Sequence, residues 1–312
     1  MKIFYLVQAH AHPELLKRMI DRLTKENVFF LIHIDLKSDI RIFKELCTYK
    51  NVQFIEDRIN CVWGDFSQVQ ATLNLIENLK AAAAQPEDRI VLISGQDYPL
   101  KTADAISSFY QNHSDTDFIE MFVAEDVHPR PYLNFRGFKI NRSTKRGDYV
   151  IFKKHNFSGI YKSLLKGCFK FEYLKHFFNQ RELDSDTVFY KGSSWWALRY
   201  ETLLKIITLY HADYKKYHDF FKVSFCVDEY FFQTLLAELM KTDNTIKVKH
   251  LVSYIDWDRK DVPLPVTFTM QDTADLQKAS EQDFLYARKF DANTDANILN
   301  WIDTNLLNKD HV

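Results

Sequence analysis

Four cysteines in 312 residues, Cys47, Cys61, Cys168 and Cys226, stand far apart and form no Cys-x-x-Cys pair. Neither a disulfide framework nor a zinc ribbon fits that spacing, so the thiols read as reduced and mostly buried, as in a cytosolic protein. No apolar run approaches the roughly 20 residues of a membrane span. The opening Met1–Val7 is too short for a signal-peptide core and lacks a cleavage pattern, so it reads as a first strand. Charge of one sign is absent too. The 41 Lys and Arg against 42 Asp and Glu leave a net charge of −1, which demands no nucleic acid and no strongly anionic partner. The Gly-rich turn of dinucleotide folds is missing after the first strand, where Gln8-Ala9-His10-Ala11-His12 stands instead. An NAD site of that kind is disfavoured.

What the chain does have is apolar and aromatic surface. Hydrophobic residues make up 46% and aromatics 15%, enough for a sizeable core and for rings that stack on bases or sugars. Strands are expected at Ile3–Val7, Phe29–Ile34, Val52–Ile55 and Arg89–Ser94. Helices are expected between and after them, at Pro13–Leu23, Ile40–Tyr49, Phe66–Ala84 and Ala103–Gln111. This alternation implies an α/β fold with a mostly parallel central sheet flanked by helices. The rhythm breaks at Glu125–Asp148, which reads as a long functional loop or flap. Further pieces follow at Tyr173–Gln180, Val188–Tyr190, Glu201–Leu209 and Glu229–Lys241, and Asp291–Leu307 reads as a closing helix. One compact domain is expected over residues 1–312.

Several segments carry chemistry. Ser94-Gly95-Gln96-Asp97 follows a central strand, and the chain has only seven glycines. Gly95 is therefore expected to allow a positive φ or a close approach. Gln96 and Asp97 would project into the space outside the strand ends, where ligands of open α/β sheets bind. Asp35 ends the second strand and suits a ribose or a uracil edge. His10 and His12 lack a third ligand at a recognisable spacing, so a loop or stacking role is favoured over a metal. Trp63 can stack on a base or staple the following helix, which Asp65 or Ser67 caps. Trp195 and Trp196 are adjacent and cannot share one face of a strand, so one is expected to line a cleft. Asp228-Glu229 reads equally as helix capping or as a general base at a helix start. Arg288 and Lys289, between aromatics, can neutralise a diphosphate or form an exposed basic patch. Asp184-Ser185-Asp186 spells a metal-binding D-x-D but lies in a polar stretch and reads as a loop. The strand end at Asp97 offers a single carboxylate, a poor Mg²⁺ or Mn²⁺ site.

In order along the chain, Gln8–Leu15, Ile32-His33-Ile34-Asp35, Trp63–Leu73, Ser94–Thr102, Gly192–Leu198, Asp228-Glu229 and Ala287–Asp291 resemble the core-2/I-branching glycosyltransferases. That family includes β-1,6-N-acetylglucosaminyltransferases and peptide O-xylosyltransferases. The resemblance implies a GT-A type nucleotide-sugar-binding fold, with a nucleotide-binding half (1–123) and an acceptor-binding and catalytic half (124–312). It implies an inverting transferase that uses a UDP-sugar. Glu229 matches the family's catalytic base, and Lys289 matches a lysine that contacts the diphosphate beside a second cation, in place of a metal ion. Asp35 and Trp63 match positions at the uridine.

With His10, Gln96, Asp97 and Arg288 these residues form the expected donor side. Trp195, Trp196 and Asp228 form the expected acceptor side. The family's second cation precedes a Tyr-Ile-Asp-Trp segment, but here Ser253 precedes Tyr254, so Arg288, Lys249 and Arg259 are the candidates. No cofactor and no divalent metal are expected. The acceptor is expected to be a glycan, glycolipid or glycoprotein, the sugar N-acetylglucosamine or xylose. The enzyme is expected to be bacterial and cytoplasmic, resting on the inner membrane face when its acceptor is lipid-linked. Two other readings stay open. One is a metal-dependent transferase using Asp97 with Asp184 and Asp186. The other is a non-catalytic nucleotide- or carbohydrate-binding protein.

Overall fold

Ile3, Tyr5 and Val7 pack into one hydrophobic cluster, Phe4 and Leu6 into another, and all five are fully buried. A strand with no polar face must be covered on both sides, as in parallel sheets with crossover helices. The computed structural model describes residues 1–127, 129–179, 181–184 and 186–308. His128 of the expected loop, Gln180 at the end of an expected helix, and Ser185 of the D-x-D lie outside the described residues.

The strands are β1 (Ile3–Ala9), β2 (Val28–Ile34), β3 (Val52–Phe54), β4 (Arg89–Ser94), β5 (Asp97–Pro99), β6 (Thr116–Phe118) and β7 (Phe122–Val123). They continue with β8 (Phe138–Asn141), β9 (Tyr149–Phe152), β10 (Tyr190–Lys191), β11 (Trp196–Arg199), β12 (Lys247–Lys249), β13 (Ser253–Ile255) and β14 (Tyr286–Arg288). Seven make the central sheet, in the order β12-β6-β11-β4-β1-β2-β3. All of its pairings are parallel except those of β11, which runs antiparallel to β4 and β6. One face is covered through Leu15, Met19, Phe43, Ile106 and Leu276, the other through Val69, Leu75, Leu203 and Leu235. This is the mixed α/β architecture expected, with a mostly parallel sheet between helices.

Arg89 sits inside this sheet at 0% exposure. It donates to the carbonyls of Thr116 (2.7 Å), His113 (2.9 Å) and Ala197 (3.2 Å), and so clips β4, β6 and β11 together. The closing helix begins later than expected, at Asn297. The Asp291 and Asp295 carboxylates accept from the amides of Asn293 and Asn297, both at 2.9 Å. Such Asx turns compete with helix.

The stretch Glu125–Asp148 is not a structureless flap. It holds short helices at Ala124–Val127 and Pro129–Phe135, then β8. Phe135 is buried and stacks on Tyr230, ring centroids 3.8 Å apart. β8 and β9 form an antiparallel hairpin with two faces. On one face Lys139 and Asn141 reach Asp65, at 3.4 and 2.6 Å. On the other, Phe138, Val150 and Phe152 pack with Tyr173 in a small separate cluster.

Candidate active site

The loop after β4 brings the sheet to its edge. A Cβ on Gly95 would lie 2.7 Å from the Cβ of Ala9. The glycine therefore serves the close approach of β1, with no positive φ involved. Beyond the loop, Asp97–Pro99 forms β5, which pairs antiparallel with β14. That register sets Arg288 opposite Asp97. Asp97 is buried, and its carboxylate accepts from the Ser94 amide (2.6 Å) and from Arg288 Nη1 (2.9 Å). The expectation that Asp97 contacts the donor is corrected: its oxygens are spent on holding the loop and Arg288. Gln96 is occupied similarly, accepting the Phe290 amide at its carbonyl (2.9 Å) while its Nε2 lies 3.4 Å from the Phe290 carbonyl.

The two tryptophans separate as the two-residue period of a strand requires. Trp196 is 1% exposed and packs on Phe232, ring centroids 5.1 Å apart. Its expected place on the acceptor is therefore corrected to the core. Trp195 lines a small pocket together with Gln8, Thr72, Ser194, Asp228 and Phe232. The Arg288 guanidinium stacks on its ring, 4.4 Å from the centroid.

Asp228 and Glu229 cap nothing. They occupy a 3₁₀ turn, Val227–Glu229, ahead of the helix Phe231–Met240, and no side-chain cap is made there. Asp228 is half-buried, accepts from the Ser194 hydroxyl at 2.7 Å, and leaves its shielded Oδ1 without a hydrogen-bond partner among the described residues. Burial and, after it, the neighbouring Glu229 push its carboxyl up to about 6 from 3.8. Glu229 is 29% exposed and pairs with Lys191 Nζ at 2.8 Å. The Gly192 amide fixes the Glu229 carbonyl at 3.0 Å, and a Cβ on Gly192 would collide with the Glu120 carbonyl oxygen at 1.8 Å. A shielded carboxylate oxygen without a partner costs stability and marks a place suited to a ligand donor.

That cost has a measurable pH signature. Because the folded state holds the Asp228 proton to higher pH than the unfolded chain, stability falls as pH rises from about 4 to about 6, then levels. Asp228→Asn, which can still accept from Ser194, is expected to raise Tm by a few degrees at pH 8 and by little at pH 4. Equal shifts at both pH values would show that the carboxyl ionises as it does in water.

At the far edge, Asp35 is buried at the end of β2, accepts the Lys37 amide at 2.9 Å and faces Lys37 Nζ at 3.4 Å. His10 is exposed beside it. Trp63 is 41% exposed, edge-on to Phe225, with the Arg146 guanidinium 4.5 Å over its ring. Lys289 is half-buried, and its ammonium is lowered from the usual lysine range by burial, then by Arg288 and Arg146. Three cations thus converge, with Asp97 paired to Arg288 and Asp291 near Lys289, which leaves a net positive charge. Such excess positive charge is a seat for an anion.

Among the expected second cations, Arg259 is committed to Asp256 (3.0 Å) and Asp272 (2.7 Å), and Lys249 lies in the edge strand β12. Sequence reasoning missed Arg146, Lys191 and Lys37. No local pattern marks them; only the β8–β9 turn and the strand register bring them in. Asp184 is ion-paired with Lys216.

A chain of contacts joins these parts: Asp228 to Ser194, Trp195 beside it, Arg288 on Trp195, and Lys289 next in sequence. Comparison with known proteins bears on the family of the chain. Xylosyltransferase 2 from Homo sapiens is 22% identical over 98% of this chain and 34% of its own length. Xylosyltransferase 1 from Homo sapiens is 24% identical over 38% of this chain and 13% of its own length. The chain therefore spans about a third of the length of the first of these curated relatives. Among solved structures, mannose-6-phosphate isomerase from Helicobacter pylori aligns over 70% of this chain and 80% of that one at 13% identity, with a TM-score of 0.32, too low to carry an assignment. The profile of the core-2/I-branching enzymes matches residues 3–280, and the chain belongs to that family of glycosyltransferases.

Proposed function

We propose that the chain is an inverting, metal-independent transferase that moves N-acetylglucosamine or xylose from a UDP-sugar to a hydroxyl of a glycan, glycolipid or glycoprotein. The observation that carries this reading is the contact chain from Asp228 through Ser194 and Trp195 to Arg288 and Lys289. With the partly exposed Glu229 next to Asp228 in sequence, it supports a carboxylate and a cationic seat on neighbouring elements. Inversion needs one base that takes the acceptor proton while the nucleotide leaves from the opposite face, and Glu229 serves as that base. Asp228, with Oδ1 unpartnered, receives a hydrogen bond from a sugar hydroxyl. Trp195 gives the sugar an apolar face. Lys289 and Arg146 stabilise the departing diphosphate. Trp63 and Asp35 hold the uridine, with His10 beside them.

A divalent ion would need several oxygen ligands. Asp97 and Asp184 are each committed to a cation, and among the described residues no group of three or more His, Cys, Asp or Glu is arranged to hold a metal. The reading places the enzyme in the cytoplasm. The test is a transfer assay with UDP-N-acetylglucosamine and UDP-xylose over a panel of glycan acceptors in EDTA. The expected result is UDP release coupled to a β-linked product. An α-linked product would reject inversion, and activity that appears only with added Mn²⁺ or Mg²⁺ would reject the metal-free mechanism.

A further inference from the structure

The helix Phe157–Leu165 is amphipathic the wrong way round. Its small residues Gly159 and Ser163 are the buried ones. A Cβ on Gly159 would lie 2.4 Å from the Ile151 carbonyl oxygen of β9, so this face sits hard against the hairpin. Its large apolar residues Phe157, Tyr161, Leu164 and Leu165 are between 58% and 69% exposed. At spacings i, i+4, i+7 and i+8 they form one stripe, which in a helix facing only water would be polar. Phe171 and Phe178, 83% and 61% exposed, extend the patch.

The charge around the stripe is predominantly positive, although Lys166 faces Asp148 and Lys170 faces Glu172, each at 3.8 Å. Between Lys153 and Phe178 stand six lysines, at 153, 154, 162, 166, 170 and 175, against the single acid Glu172. The whole-chain net charge of −1 hides this local excess. At the N-terminal end of the same helix lies a pocket lined by Leu133, Arg136, Lys153, Lys154, His155 and Asn156. Apolar stripe, lysines and basic pocket thus all belong to the segment 153–178 and the residues packed at the start of its helix.

We propose that this segment docks on an anionic phospholipid bilayer. Phe157, Tyr161, Leu164 and Leu165 enter the boundary between headgroups and acyl chains, the lysines meet the headgroups, and the basic pocket receives a headgroup phosphate. A second copy of the chain is a poorer occupant, because it would set the same lysines against one another. Contact is interfacial, since among the described residues no helix is long and apolar enough to cross a membrane. The β8–β9 hairpin links this face to the cleft: Phe152 packs with Tyr173 beneath the patch, while Lys139 and Asn141 hold Asp65 beside Trp63. A bilayer seated here lies one hairpin away from the cleft rim. The proposal does not depend on the chemistry assigned to Glu229.

The test is co-sedimentation of the full chain with vesicles of phosphatidylcholine alone and of phosphatidylcholine mixed with phosphatidylglycerol, at low and high salt. The chain is expected to bind the mixed vesicles, to bind phosphatidylcholine alone at least tenfold more weakly, and to lose binding as salt rises. The triple variant Phe157→Ser, Leu164→Ser, Leu165→Ser changes only exposed side chains, so it should keep its melting transition and lose at least tenfold in binding. Lys154→Gln, Lys162→Gln and Lys175→Gln should each lower binding about fivefold. Failure to bind the mixed vesicles overturns the proposal. So does vesicle binding that the triple variant leaves unchanged but inorganic phosphate abolishes, which reduces the site to a phosphate pocket. Sedimentation equilibrium that shows a dimer dissolved by the triple variant, without vesicle binding, assigns the face to a second copy instead.

Discussion

Glu229→Gln is expected to keep the fold and UDP binding while lowering turnover by about 10²-fold or more, the scale of losing a general base. The fold should survive because Glu229 is 29% exposed and its backbone tie, the Gly192 amide on its carbonyl, does not involve the side chain. Gln keeps the shape of the side chain and an acceptor for the Lys191 ammonium, but it cannot take a proton at neutral pH. Lys191, 16% exposed, keeps a hydrogen-bond acceptor in the Gln side chain but loses its charge partner, so some loss of Tm accompanies the change. The measurement is kcat with saturating UDP-sugar alongside UDP affinity and Tm. A variant within a few-fold of the wild-type rate removes Glu229 from the chemistry, and Asp228, whose carboxyl is pushed up to about 6, becomes the alternative.

Lys289→Ala is expected to weaken UDP binding by about 10- to 100-fold, the range for one charge-assisted contact in a partly shielded site. Uridine should lose much less, because it lacks the diphosphate. The argument rests on what surrounds the ammonium. Arg288 is neutralised by Asp97 and pinned over Trp195, so it adds positive potential but offers little free bonding. Arg146, poised over Trp63, is the cation left to share the diphosphate with Lys289. An ammonium is a compact point charge that supplies part of a metal's charge without its geometric control. Equal loss of UDP and uridine in Lys289→Ala would mean that the lysine supports the fold of the site and not the diphosphate.

Local sequence carried the first half of the fold well. β1, β2 and β4 are continuous apolar runs covered on both faces, and that signal needs no knowledge of partners. Even Arg89, which interrupts the pattern, sits at the start of β4 where its donors reach three carbonyls. The second half was legible only in pieces. β5 and β14 are three residues each and lie almost 190 positions apart, so neither is recognisable before the pairing exists. That pairing decides the fate of Asp97 and Arg288, and both were read as ligand contacts. The rule of alternation separates Trp195 from Trp196, but which one is buried depends on β11 lying between β4 and β6. Asp228-Glu229 looked equally like a cap, and only the 3₁₀ turn before Phe231 shows that neither carboxylate caps the helix. The helix Phe157–Leu165 escaped because its large apolar residues face water, contrary to the rule used to find helices.

The central claim is a metal-free site for a uridine diphosphate sugar, and a calorimetric titration of UDP into the wild-type chain, with EDTA present throughout, tests it most directly. The account predicts binding in EDTA that added Mn²⁺ or Mg²⁺ leaves unchanged. Binding that appears only when the metal is restored would contradict it.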